Sequence, residues 1–294
     1  MATLTQTRSG FRRRQQSFAA RIWRRFVRNR LAVASLVVLL CLAAIVLLAP
    51  LLAPYAFDEQ DIELLGQPAP PSWAHLLGTD QLGRDALSRL LYGGRISLAV
   101  GLAAATVSTA LGTAVGAWSG FHRGWVDTVM MRGTDVVLSV PALPLILLIS
   151  GLLRPTVPLL IVIIGALSWM GTARLVRGQF LSLREREFVE AARALGATNG
   201  RLILRHILPN AVAPITVAAT LTVGQAILLE SAMSFFGFGV QPPTPTWGNL
   251  LNEATQWLDS APWLAIPPGL LIFLTVLSVN SLGDGLRDAF DTRA

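Results

Sequence analysis

Long stretches without a charged residue are the feature that most constrains this chain. Six of them reach about 18 residues or more, the length that a helix needs to cross roughly 30 Å of hydrocarbon. Only 14% of the 294 residues are charged, whereas soluble domains contain about 25%. The sequence therefore predicts an all-α integral membrane protein with six transmembrane helices.

The predicted spans divide the chain into short segments. They cover residues 31–53, 96–118, 136–153, 155–173, 211–233 and 261–283. A basic segment, 1–30, precedes the first span, and an outer segment, 54–95, follows it. A loop at 174–209 precedes span five, an outer loop covers 234–260, and a tail covers 284–294. The uncharged stretch at 231–252 belongs mainly to that outer loop, because its three closely spaced prolines disfavour a lipid-facing helix.

The positions of the basic residues predict the orientation of the chain. All 24 are arginine. If the N-terminus lies inside, 20 arginines fall in inner segments and four in outer ones, namely Arg84, Arg89, Arg95 and Arg154. The positive-inside rule then predicts that both termini are cytoplasmic (N-in, C-in). Because basic residues near span ends need no other cause, the net charge of +7 does not indicate nucleic-acid binding.

The segment before the first span is open to two interpretations. Phe18, Ile22 and Phe26 recur every four residues with arginines on the other face, which favours a basic amphipathic helix on the anionic inner leaflet. A partly disordered tail whose arginines only enforce topology fits equally well. The first span itself is too long for the apolar core of a signal peptide, so we expect it to be retained.

A short helix is expected in the outer segment. The sequence Gly-Thr-Asp-Gln-Leu-Gly-Arg-Asp at 78–85 precedes three leucines at 87, 90 and 91. Thr79 or Asp80 could cap this helix at its N-terminus. The helix would lie on the outer surface and lead into span two.

Four residues within or beside the spans are candidates for packing or for a transport pathway. Gly112 and Gly116, followed by Gly120, favour close packing of a neighbouring helix. Pro141 interrupts a span and frees backbone carbonyls, which fits a water-lined pathway. Glu230 adjoins the apolar core of span five and is a functional-site candidate. It could instead cap a helix or pair with an outer arginine.

Neither of two common energy sources is encoded in the chain. A phosphate-binding loop requires a lysine, and the chain has none. Coupling to an ion gradient usually requires acids or histidines within the spans, and spans one to four and six have none. The single cysteine, Cys41, and three scattered histidines predict no metal site and no redox chemistry. Force must therefore come from another protein.

The loop at 174–209 has the pattern expected of a docking element. Its first helix has an apolar face formed by Phe188, Ala191, Ala192 and Leu195. The opposed charged face, with i, i+4 and i, i+3 pairing, is formed by Arg186, Glu190 and Arg193. Gly196 stops this helix. Thr198 is expected to cap a second helix, which Pro209 ends before span five. Pushing on this loop would tilt span five.

At these residues the chain resembles a known family. Glu190-Ala191-Ala192, Gly196 and Ile207-Leu208-Pro209 resemble the EAA loop in the membrane subunits of ATP-binding-cassette (ABC) importers. His206 stands where the general pattern has isoleucine. The resulting His-Ile-Leu-Pro-Asn at 206–210 is similar to the dipeptide, oligopeptide and nickel permease branch. Further stretches resemble the "C" type permease of that branch, at 28–32, 75–89 and 239–249.

The resemblance implies a type I ABC importer permease fold with a core at 96–285, in a bacterial inner or plasma membrane. It implies a transport subunit and not an enzyme, since partner ATPase subunits bind ATP and Mg. The implied partners are a homologous "B" type permease, two ABC ATPases, an extracytoplasmic substrate-binding protein and membrane lipid. The residues implied to couple ATPase to permease are Glu190, Ala191, Ala192, Gly196, His206, Leu208 and Pro209.

Within that family picture, each residue type has an expected role. Gly196 would set the bend of the coupling element, and Glu190 would hold it by charge pairing. Ala191 and Ala192 would allow close seating against the ATPase, although plain helix propensity also explains two alanines.

The expected substrate is a dipeptide or oligopeptide. The alternative within the same family is nickel or another small solute, although the chain offers no cluster of metal ligands. An ATP-independent channel or carrier, and a structural membrane anchor, are the alternatives from other classes.

Overall fold

The protein is an all-helical bundle in its computed structural model, which describes residues 18–153 and 156–290. Within these ranges there are helices and loops but no β-strand, so the predicted all-α class is confirmed. Four helices are long and apolar enough to cross a membrane, and six spans result if each of two bent helix pairs counts as one. The orientation of the termini remains a prediction.

The described helices follow one another with short connections, apart from three longer loops after α3, α11 and α12. In the first range they are α1 (Phe18–Arg28), α2 (Arg30–Leu47), α3 (Ala49–Leu52), α4 (Ala86–His122), α5 (Gly124–Ser139) and α6 (Ala142–Leu153). In the second range they are α7 (Val157–Ala166), α8 (Met170–Leu183), α9 (Glu187–Ala194), α10 (Asn199–Arg201), a π-helical turn (Leu202–Ile207), α11 (Leu208–Phe235), α12 (Trp247–Ala254) and α13 (Ile266–Phe290).

The predicted short outer helix and span two form one helix, α4, and not two. Asp85 caps α4, since its carboxylate accepts a hydrogen bond of 2.7 Å from the Ser88 backbone. Thr79 and Asp80 were therefore wrong as candidate caps. Asp80 instead accepts hydrogen bonds from the backbone of Leu82 and Arg84, which closes the turn before the helix.

Two predicted spans are broken. Residues 136–153 include the break between α5 and α6, where the axis turns by 79°. Pro141 causes it, because proline lacks an N–H and forces Val140 into an extended conformation (ψ 126°). Between α7 and α8 the axis turns by 46°. Arg154 and Pro155, at the predicted start of span four, lie outside the described residues.

Three predicted segments differ in the structure, namely the C-terminal tail, the outer loop at 234–260 and the basic segment before the first span. Helix α13 continues through Phe290, so the segment from 284 onward begins as helix and not as a tail. The outer loop at 234–260 contains α12, whose Trp247 is fully buried. In α1, Ile22 and Phe26 pack on α13, so the face predicted to lie on the membrane is partly covered by protein. The side chain of Phe18 lies outside the described residues.

Glycines allow α4 to pack closely against α8. A Cβ atom on Gly112 would lie 2.7 Å from the Thr172 Cβ, and one on Gly120 would lie 2.8 Å from the Phe180 Cβ. At Gly116 a Cβ would lie 2.9 Å from the Val176 Cβ. These separations leave no space for a side chain, so the two helices meet nearly backbone to backbone.

The bundle has two distinct ends, which α4 connects. At 37 residues, α4 is about 55 Å long at 1.5 Å per residue. Near its start, Arg89 forms an ion pair with Glu253 of α12. Near the C-terminal end of α4, Phe121 packs in the same apolar cluster as Val189 of α9. We call these the α12 end and the α9 end.

Candidate functional site

Helix α9 presents one apolar stripe inward and a second outward. Val189 is fully buried, and Ala192 packs beside it. They join an apolar cluster that includes residues from α4, α8 and the π-turn, such as Phe121, Phe180 and Leu202. Val189 was not among the predicted residues, although its i, i+3 spacing to Ala192 was the available signal.

The outward stripe of α9 differs from the apolar face that was predicted. Phe188 and Leu195 are 41% and 88% exposed, and Ala191 is exposed too. Of the four residues assigned to one face, only Ala192 turns inward. The exposed side chains therefore form an apolar surface that no part of the chain at 18–153 or 156–290 covers.

Gly196 ends α9 in the left-handed region, with φ of +83°. The Gly196 N–H donates to the Arg193 carbonyl at 2.9 Å, and the Ala197 N–H donates to the Ala192 carbonyl at 3.1 Å. This pair of bonds is the Schellman motif. A Cβ on Gly196 would contact nothing within 4 Å. The backbone conformation, and not a lack of space, is thus the reason for glycine.

The second helix of the loop continues into α11, contrary to the prediction that Pro209 ends it. Residues 199–235 are helical throughout. Thr198 occupies the N-cap position, but its side chain makes no capping hydrogen bond. The π-turn ends at Ile207, two residues before Pro209, and such a widened turn can accommodate a missing N–H donor.

The remaining candidates of this loop lie along the same helix. The His206 carbonyl accepts a 2.7 Å hydrogen bond from the Asn210 side-chain amide. His206 and Leu208 are half-buried, and Pro209 is exposed. Leu208 packs against the buried cluster below α9. The structure therefore gathers the predicted residues at one end of the bundle.

Glu190 does not form the charge pairs expected within α9. It is exposed, and among the residues that the structure describes it makes no ion pair with Arg186 or Arg193. Exposed ion pairs contribute little to the free energy of folding, because ordering two long side chains costs entropy. The Glu190 carboxylate remains available on the surface of α9.

Charged contacts that were not predicted from the sequence attach α5 and the start of the loop to the bundle. The Arg177 guanidinium binds both carboxylate oxygens of Asp127 at 2.5 and 2.6 Å, and the Ser119 hydroxyl donates to Asp127 too. Arg184 donates to the Phe121 carbonyl. Arginine forks of this kind fix orientation as well as distance, so α4, α5 and α8 are held together at the α9 end.

A groove of about 1090 Å³ runs between α2, α4, α11 and α13. Leucine and alanine dominate its walls, but six threonines also line it, namely Thr106, Thr109, Thr113, Thr216, Thr220 and Thr275. Its wall at the α9 end includes Ile203 and Leu204 of the π-turn. Gly112 and Gly116 face α8 instead, and neither Pro141 nor Glu230 lines the groove.

Glu230 lies in the protein interior, near the C-terminal end of α11. It is fully buried, and its carboxylate accepts hydrogen bonds from Ser97 at 2.9 Å and Ser234 at 2.8 Å. The predicted pairing with an outer arginine is not observed in the described part of the chain, where Arg84 and Arg89 bind Asp80 and Glu253 instead.

The described residues contain no group of three or more His, Cys, Asp or Glu that could hold a metal ion. The α9 end presents an exposed apolar surface with charged neighbours, formed by Phe188, Ala191 and Leu195 beside Arg186, Glu190 and Arg193.

Family comparison identifies two matching regions. Residues 112–294 match the family described as "Binding-protein-dependent transport system inner membrane component". Residues 17–71 match the "N-terminal TM domain of oligopeptide transport permease C".

Relatives match the chain over most of its length. An oligopeptide transport system permease protein of Haemophilus influenzae is 42% identical over 92% of this chain and 87% of its own. A glutathione transport system permease protein of Pectobacterium atrosepticum is 42% identical, covering 92% and 90%. A dipeptide transport system permease protein of Alkalihalophilus pseudofirmus is 41% identical, covering 90% and 87%.

Proposed function

Because the chain belongs to the family of inner membrane components of binding-protein-dependent transport systems, we propose that it forms part of the passage of a peptide importer. It is an ABC importer permease, a multi-pass protein of the bacterial inner membrane. Members of this family are transport components and not enzymes.

The names of the relatives support a peptide as the substrate. The three relatives are named for oligopeptides, glutathione and dipeptides, which all contain peptide bonds. The lining of the groove offers hydroxyls and apolar side chains without histidine, cysteine or carboxylate, which are the side chains that would favour a metal such as nickel.

We assign the passage to the groove between α2, α4, α11 and α13, completed by a homologous "B" type permease. The hydroxyls of Thr106, Thr216 and Thr220 donate to carbonyls of their own helices, so each retains oxygen lone pairs for the N–H groups of a peptide. Weak, repeated contacts of this kind suit a pathway, because a solute must leave as readily as it enters.

Energy would enter at the α9 end from one of two partner ATPase subunits, which bind ATP and Mg. The observation that carries this proposal is the continuity of residues 199–235. An ATPase that seats Phe188, Ala191 and Leu195 would move α9, and Gly196 passes that motion to α11. A population shift between inward-facing and outward-facing states then follows from different contacts in each. An extracytoplasmic binding protein would deliver the peptide at the α12 end.

The decisive experiment replaces Gly196 by aspartate in the complete transporter. A side chain at φ +83° is strained, so we expect peptide uptake and peptide-stimulated ATP hydrolysis to fall about tenfold or more, with the subunit still in the membrane. Gly133→Asp is the matched control, because Gly133 has open space around it and no positive φ. Normal uptake by Gly196→Asp would overturn the coupling role.

A self-contained channel or carrier is the competing function. It predicts that the purified chain alone moves peptide across liposomes without ATP. Uptake that requires the ATPases, the second permease and ATP would exclude it.

A further inference from the structure

Helix α1 carries two apolar faces, and the residues that the structure describes cover only one. Phe26 is buried, and Ile22 packs beside it against Leu282, Leu286 and Ala289 of α13. Trp23 stacks on Phe26, with ring centroids 6.0 Å apart, yet Trp23 and Val27 keep exposed fractions of 61% and 48%. A tryptophan exposed to water on a surface helix costs free energy unless another apolar phase covers it.

The rotation of α1 is fixed, so this second face cannot turn inward. Asn29 separates α1 from α2 and caps α2, with its side-chain oxygen 3.2 Å from the Ala32 N–H. Ala32 packs against Gly285 of α13, where a Cβ would collide with it. Turning Trp23 inward would expose Phe26 and break this contact. The outward direction of Trp23 is therefore built into the fold.

The charges beside this face indicate what covers it. Arg24 and Arg28 are exposed, and neither forms an ion pair with any described residue. Leu31, at the next four-residue step, is 66% exposed in the first turn of α2. An apolar stripe with tryptophan, flanked by arginines and leading into a span, is the pattern of a helix at a membrane interface.

We propose that α1 is an interfacial helix that binds anionic phospholipids. Trp23 and Val27 enter the lipid, and Arg24 and Arg28 bind the phosphate oxygens of the headgroups. A guanidinium suits this role because its N–H groups match phosphate geometry. Of the two interpretations that the sequence left open, the proposal favours an interfacial helix over a partly disordered tail. The face that it places in the lipid differs from the face that was predicted.

The single cysteine of the chain makes the test direct. In a Cys41→Ser background, Val27→Cys is labelled with bimane before the chain is assembled with its partner subunits in nanodiscs. Quenching is measured with spin-labelled phosphatidylglycerol, with spin-labelled phosphatidylcholine at the same mole fraction, and with aqueous iodide. Asp58→Cys, at an exposed site in the long loop after α3, is the control label.

We expect the label at 27 to be quenched by spin-labelled lipid and protected from iodide. Spin-labelled phosphatidylglycerol should quench it at least about twice as strongly as spin-labelled phosphatidylcholine. Arg24→Gln with Arg28→Gln should bring that ratio to about one. Arg132→Gln with Arg287→Gln, an equal loss of exposed charge, should leave it unchanged. Iodide access at 27, lack of quenching by lipid, or no preference for phosphatidylglycerol would each overturn the proposal.

Discussion

The Ser97 hydroxyl on α4 donates a 2.9 Å hydrogen bond to the Glu230 carboxylate on α11. The same Ser97 oxygen accepts a 3.2 Å hydrogen bond from the Trp247 backbone N–H. Since Trp247 begins α12, this buried network joins three helices at the α12 end. Polar networks in an apolar interior stabilise one arrangement strongly when every member has a partner.

Glu230→Ala should therefore destabilise the solubilised protein by about 1–3 kcal/mol, because it leaves two buried hydroxyls without their acceptor. Glu230→Gln retains an acceptor oxygen and should cost clearly less. Thermal unfolding of the purified subunit measures both. Ser139→Ala is the control, because the Ser139 hydroxyl bonds only within its own helix and is exposed. Equal losses for Glu230→Ala and Ser139→Ala would contradict the role of the network.

The two faces of α9 should respond differently to the same substitution. Val189→Asp buries a charge in an apolar cluster and should cost about 3 kcal/mol or more. Leu195→Asp lies on the exposed face and should change stability by no more than about 0.5 kcal/mol. It should instead reduce co-purification of the ATPase subunits. Retention of the ATPases by Leu195→Asp would mean that this face is not the docking surface.

Asp127→Ala should loosen the α9 end without unfolding the bundle. It removes the acceptor of both Arg177 bonds, at a cost of about 1–3 kcal/mol. Arg177→Lys should show part of the same loss, since an ammonium cannot reproduce the two parallel bonds. Thermal unfolding of single and double variants gives the coupling energy, and a value near zero would show that the pair contributes nothing.

Gly116→Ala should disturb the contact between α4 and α8, because its Cβ would meet Val176 at 2.9 Å. We expect a cost of about 1–3 kcal/mol. Gly133→Ala is the control, as a Cβ there contacts nothing within 4 Å. The comparison is made by thermal unfolding, and an equal tolerance of both alanines would show that the helices can separate freely.

Thr220→Trp should obstruct the groove. We expect peptide uptake to fall about tenfold while basal ATP hydrolysis continues, since the indole would occupy space that the peptide needs. Thr128→Trp is a control on α5, where the exposed Thr128 hydroxyl bonds only within its helix. Undiminished uptake by Thr220→Trp would place the passage elsewhere.

Local patterns account for most of the correct predictions. The length of the uncharged stretches predicted a helical membrane protein. The turn at Gly196 follows from a single glycine at the end of a periodic segment. Pro141 likewise acts through its own missing N–H. Such features depend on neighbours within one helical turn, which the sequence displays directly.

Features that depend on distant partners were not predictable in this way. Asp127 and Arg177 are far apart in the sequence, and the burial of Glu230 depends on serines from two helices. The inward turn of Val189 depends on a cavity between α4, α8 and the π-turn. The prediction that Pro209 ends a helix was wrong, because the preceding π-turn accommodates the backbone N–H that proline lacks. A π-turn has no simple sequence pattern.

The unbroken helix from residue 199 to 235 would act as a lever under the proposed coupling. At 1.5 Å per residue it is about 55 Å long, so a tilt of about 10° moves its far end by about 10 Å. Leu204, at one end, lines the groove, whereas Glu230, near the other, belongs to the network that holds α12. Under the proposed coupling, a small displacement at the α9 end would become a displacement of atomic groups at the α12 end, without any signal passing through flexible side chains.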